Sequence, residues 1–185
     1  MPAQSESPRV YKVYPLRNVL VYNGTTVAHY ALGGIGVVVG YGRWPALGWA
    51  LGLVYVAFAF VQMYVLMPLM VCPSCVYRRM DGVRCVSAMN LVSRRLVRAA
   101  DAKDFPNRGR GILCHNHLYM ASLAAPLVLM LPALVLNFFF ALLAIFLVIV
   151  GLFAFRIFVV FPRVACGHCA AKGQCPNAKA MGLSS

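Results

Sequence analysis

With 62% hydrophobic and only 11% charged side chains in 185 residues, the chain has too little charge to cover a soluble surface of its size. Its apolar residues come in blocks long enough to cross hydrocarbon, so composition excludes a soluble globular domain and predicts an all-α polytopic membrane protein. Seventeen basic side chains stand against four acidic ones. Membrane topology accounts for that imbalance, and no nucleic acid partner is required.

In chain order, residues 1–24 open polar as MPAQSESPRVYK, without the early apolar stretch of a signal peptide, and read as a cytoplasmic segment. Residues 25–71 hold the first two of four expected transmembrane helices. Span one, Thr25–Gly42, is short and rich in glycine; span two, Ala46–Val71, carries no charge and exceeds what a ~30 Å hydrocarbon core needs, which predicts tilt. GGIGVVVG and the Gly48/Gly52 pair offer small faces for close packing of these two helices. Residues 72–117 form a loop rich in cysteine and arginine. Within it, VSAMNLVSRRLVRAA places Met89, Val92 and Leu96 on one helical face and Arg94, Arg95 and Arg98 toward another. That pattern predicts a short helix on the membrane surface, its arginines meeting anionic head groups or an acidic partner. DAKDFPNRGRG is turn chemistry leading back to the bilayer. Residues 118–161 stay apolar for long enough to form a helical hairpin, spans three and four, with the break expected at Pro132–Asn137. Residues 162–185 are a cysteine-rich tail. No internal repeat of helices is visible.

Orientation follows from the basic residues. Nine lie between Arg78 and Arg110, three precede span one and three follow span four, while only Arg43 faces the other way. The positive-inside rule therefore puts both termini and the middle loop in the cytoplasm, in a cell (cytoplasmic or inner) membrane. Tyr41, Trp44 and Trp49 form an aromatic belt at the outer interface, and Arg156 is expected to snorkel toward the inner one. Gln62, Tyr64 and Asn137, the few polar groups at depth, are expected to bond to neighbouring helices.

All seven cysteines fall on the expected cytoplasmic side, outside the spans: Cys72, Cys75 and Cys85; Cys114; and Cys166, Cys169 and Cys175. Thiols used as small hydrophobes would scatter through the helices. An odd number in a reducing compartment points away from disulfides and toward thiolate ligands. CPSC is followed by Cys85, and CGHC by Cys175 in a Cys-Pro step. A Cys-x2-Cys turn lets two sulfurs reach one ion at about 2.3 Å. Two four-coordinate sites need about eight donors, and the cysteines with one of His115, His117 or His168 supply them. One partition groups Cys72, Cys75, Cys85 and Cys114, leaving Cys166, Cys169, Cys175 and His115 or His117 for the second site. The other pairs the two knuckles directly, with Cys85, Cys114, Cys175 and a histidine making the second site. The cofactor is either zinc in two tetrahedral sites or an iron-sulfur cluster. Haem ranks well below both, with His29 as a candidate axial ligand opposite His115 or His117.

No acid lies within any span; the four are Glu6, Asp81, Asp101 and Asp104. This removes the intramembrane carboxylates of ion-coupled transporters and the paired acids of hydrolytic catalysis. The chain reads as a subunit that is not catalytic alone. Its expected role is to anchor or assist a larger membrane complex, redox or respiratory, with a cytoplasmic cysteine-rich cap that docks a partner or passes electrons. Its expected partners are the lipid bilayer and the other subunits of that complex. A thiolate-based metal carrier or transporter is the alternative.

Overall fold

The computed structural model describes residues 10–100, Phe105 and residues 114–183. Their regular elements are helical, and the only pairing of extended chain among them is an isolated bridge between Val13 and Arg84. Helix α1 spans Leu16–Gly40, α2 Pro45–Phe60, α3 Val76–Arg79, α4 Met89–Leu96, α5 His115–Leu136, α6 Phe140–Phe155 and α7 Pro176–Ala180. Two helices continue past their α portions as π-helix, α2 through Val61–Val71 and α6 through Arg156–Ala165.

Three helices are long and apolar enough to cross a membrane: Pro45–Ser74 with 30 residues, His115–Leu136 with 22 and Phe140–His168 with 29. The chain is thus a multi-pass, membrane-associated protein. Exposed Leu53, Val54, Leu147, Val148 and Phe158 give these helices the outer surface that lipid contact requires. The expected span one is helical but does not join the three. α1 starts at Leu16 rather than Thr25, and Asn18, Asn23, Thr25, Thr26 and His29 dilute its apolar character. It packs along α2, α5 and α6. A Cβ on Gly52 would come within 2.5 Å of a Val38 methyl and one on Gly48 within 2.9 Å of the Val38 carbonyl, so the small faces bring α1 and α2 together as their spacing predicts.

The hairpin turn falls at 137–139, and Pro126 and Pro132 are inside α5 rather than at the break. Asn137 stops the helix instead. Of the expected aromatic belt, Trp44 and Trp49 are exposed, but Tyr41 turns inward and donates to the Leu129 carbonyl at 3.1 Å.

The halves of the chain repeat one another, contrary to the expectation from sequence. Gln62, Pro68, Cys72 and Cys75 match Arg156, Pro162, Cys166 and Cys169 at one constant offset. In each half an apolar α-helix passes into π-helix, carries a proline there and ends in a 3-10 turn holding a Cys-x2-Cys knuckle. Proline withdraws a donor and presses on the carbonyl four residues back, and a widened turn relieves both. The polar residue at the start of each π segment, second in one and first in the other, reaches across to the other half: Gln62 to His115 on α5, Arg156 to Tyr22 and Thr25 on α1. His29 of α1 bonds to the Leu123 carbonyl of α5, and these positions are related by the same offset, as residues facing each other across a pseudo-twofold axis are. The repeat escapes the eye because its other positions are interchangeable apolar residues.

Buried residues form three clusters. One, around Val37, Met130, Leu142 and Ile149, lies at the far end of the bundle. A central one joins Tyr30, Tyr55, Met63, Leu123 and Val160. The third, built on Tyr14, Val19, Tyr77 and Val83 with Cys75, Cys85 and Cys169 at its edge, gathers the knuckles.

Candidate functional site

Both knuckles close with the same backbone hydrogen bond. Cys75 N–H donates to the Cys72 carbonyl at 3.1 Å and Cys169 N–H to the Cys166 carbonyl at 3.2 Å, after which the chain turns extended at Cys75 and Cys169. In the second knuckle the Ala171 N–H also points to the Cys169 sulfur at 3.4 Å. Gly167 is obligatory there, because a Cβ would stand 2.3 Å from the Pro162 carbonyl oxygen.

Two tyrosines lock the knuckles to each other. Tyr77, one turn beyond CPSC, donates its hydroxyl to the Tyr11 carbonyl at 2.6 Å and accepts from Ala170 N–H at 3.1 Å, just past CGHC. Tyr14 donates to the Ala165 carbonyl, while its backbone pairs with Arg84. The N-terminal strip therefore ties both knuckles and the Cys85 loop into one unit, with the Tyr11 ring lying 4.5 Å from that of His168. Burial pushes the Tyr77 hydroxyl up to about 12, against the opposing hydrogen bond from Ala170 N–H and with smaller help from the nearby Cys169, Cys85 and Cys75. Burial likewise raises the Cys169 thiol, with Cys75, Cys166 and Cys175 adding to it.

Between these parts lies a cavity of about 450 Å³. Six cysteines line it: Cys72, Cys75, Cys85, Cys166, Cys169 and Cys175. No disulfide joins any of them. Tyr14, Tyr22, Tyr77, Tyr119 and His115 also line it, and on the helical side the wall is Met63, Met67, Met120, Ile157 and Phe161. Among the described residues no three cysteine, histidine or acidic side chains stand in a geometry that would hold one metal ion. The sulfurs surround a volume instead of meeting at a point.

The remaining sequence candidates go to other places. Cys114 does not line the cavity; it caps α5, its sulfur accepting from His117 N–H at 3.4 Å. His117 follows on the exposed side of that first turn. The His115 ring faces the Gln62 amide at 3.1 Å. His29 is fully buried with one ring nitrogen 2.9 Å from the Leu123 carbonyl, two turns along α5 from His115, and does not face the cavity. Arg94 is used internally, donating to the Tyr77 and Met80 carbonyls and pairing with Asp81 at 3.6 Å. Arg95 and Arg98 are exposed, as are Val92 and Leu96, while Asn90 and Ser93 face inward.

Arg156 departs furthest from expectation. It does not snorkel: its side chain is 0% exposed and lies inside the bundle. Nη1 donates to Thr25 Oγ1 at 2.7 Å and to the Tyr22 carbonyl at 3.1 Å, and Nη2 donates to the Tyr119 hydroxyl. The rings of Tyr22, Phe161 and Tyr119 lie 5.1, 5.5 and 5.9 Å from the guanidinium carbon. Sequence reasoning missed the tyrosines as well. Their one signal was the YKVYP run and the single Tyr after CPSC, which look like ordinary interface residues until the chain is folded.

No family model, curated protein or solved structure matches the chain.

Proposed function

We propose that this protein carries an iron-sulfur cluster in the six-cysteine cavity and passes electrons at the membrane face as a subunit of a larger membrane complex. The observation that carries the reading is the convergence of six of the seven cysteines on one volume of about 450 Å³. A zinc ion draws four donors to about 2.3 Å from a single centre. Thiols spread around a wall suit a larger body, and iron-sulfur clusters are such bodies, held by several cysteines each. The pseudo-twofold favours pairing the two knuckles, Cys72 and Cys75 with Cys166 and Cys169, over the partition that assigns them to separate sites. Cys85 and Cys175 then stand as flanking ligands or complete a second centre with His115.

In this reading α1 is the fourth span, since it packs within the helical bundle along the three apolar helices. Both termini and the loop from Cys72 to His117 lie in the cytoplasm, and the exposed Arg95 and Arg98 meet lipid head groups or the partner subunit.

A second reading has its own support. Met63, Met67 and Met120 share the wall with the thiols, and soft thioether and thiolate donors together suit a cuprous ion in transit. Anaerobic purification decides between them. A cluster protein is brown, absorbs broadly near 400 nm, bleaches on reduction and contains iron with acid-labile sulfide. Colourless protein with copper or zinc and no sulfide would refute the electron-transfer reading.

A further inference from the structure

The guanidinium of Arg156 is the most unusual charge in the molecule. It belongs to a helix that is apolar enough to cross a membrane, yet it is fully buried and cannot reach solvent or a lipid phosphate. Its partners are a carbonyl, two hydroxyls and three rings, none of them an anion, and its Nε is without a hydrogen-bond partner. Arginine does not shed its proton to escape burial. Hydroxyls and ring faces offset part of the desolvation cost of a cation, but they leave the net charge in place.

Beyond those rings lies the cysteine cavity. Tyr22, Tyr119 and Phe161, the three rings within 6 Å of the guanidinium, are all walls of the cysteine cavity. The cation therefore sits against three rings that wall the site. A thiolate-bound cluster is an anion, and across a water-poor wall its charge is little screened. At the equivalent position of the other half stands Gln62, equally buried but neutral. Scaffold alone does not require a cation there.

We infer that Arg156 is the fixed counter-charge of the anionic occupant of the cavity, a positioning residue that touches no ligand sulfur and sets the reduction potential of the bound cluster. The inference rests on the cluster reading above. When a one-electron donor reduces the cluster, one electron is added and no bond forms or breaks, so the occupant becomes one unit more negative. A nearby cation favours that reduced form and raises the potential.

Redox titration of the full-length protein in detergent or nanodiscs, with dithionite as donor, tests this. Arg156→Gln, which installs the other half's own residue, should keep its iron and sulfide but show a lower midpoint potential; Arg156→Lys should stay near the parent. Gln62→Arg, which adds a cation at the equivalent place, should move the potential upward. A purely structural role for Arg156 would alter yield without moving the potential in opposite directions in these two variants. Unchanged potentials in cluster-loaded Arg156→Gln and Gln62→Arg would overturn the inference. Should Arg156→Gln not accumulate, Gln62→Arg decides alone, and no rise there overturns it. Absence of any cluster in the parent protein would instead defeat the electron-transfer reading.

Discussion

The two halves of this protein share a scaffold and differ in charge. In both, an apolar helix loosens into π-helix at a buried polar residue, meets a proline and delivers two cysteines on a 3-10 turn. Only the second half fills the polar position with a cation, and only the second knuckle replaces proline, Pro73, by glycine, Gly167. Repetition builds a cavity with thiols on both sides, because a pseudo-twofold brings both knuckles to the same end of the bundle. The departures from repetition then give that cavity a polarity. A strictly symmetric pair would place either two buried cations behind the site or none.

The largest expected effect concerns the cysteines. If the knuckles act as one site, Cys72→Ser and Cys166→Ser each lower bound metal by about tenfold or more, since loss even of outer-shell partners costs about 10- to 100-fold. Elemental analysis of the two purified variants checks it, and loss in one half only would show that the halves hold separate sites. Next is the glycine. Gly167→Ala forces a methyl onto the Pro162 carbonyl and should cost about 1–3 kcal/mol by overpacking, read as faster loss of metal to a chelator. Pro73→Ala at the matching position removes buried ring atoms and frees the unfolded chain but forces no atom onto a carbonyl, so its effect on metal loss should be the smaller. Equal effects of the two would mean that the knuckles are packed alike after all. The smallest effect belongs to Cys114→Ser. Serine caps helices well, so metal content should be unchanged and stability should move by no more than about 0.5 kcal/mol. A drop in metal would return Cys114 to the ligand set.

Sequence alone determined the class. Blocks of apolar residues are chosen by lipid, so the helical, multi-pass character of Pro45–Ser74, His115–Leu136 and Phe140–His168 follows from composition and length without knowledge of any contact. Sequence also made the candidate residues conspicuous, because the cysteines gather at and beyond the ends of the apolar helices instead of scattering through them. It did not determine who meets whom. Spacing is a local quantity, and which side chains meet depends on segments far apart in the chain: Tyr14 and Tyr77 acquire their contacts only when the N-terminal strip crosses both knuckles. Arg156 illustrates the limit best. A long cation near a helix end can reach water or turn inward, and its own sequence neighbourhood is the same in both cases. The packing of α1 and α5 around it, with Thr25, Tyr22 and Tyr119 offering acceptors inside the bundle, decided that it points inward.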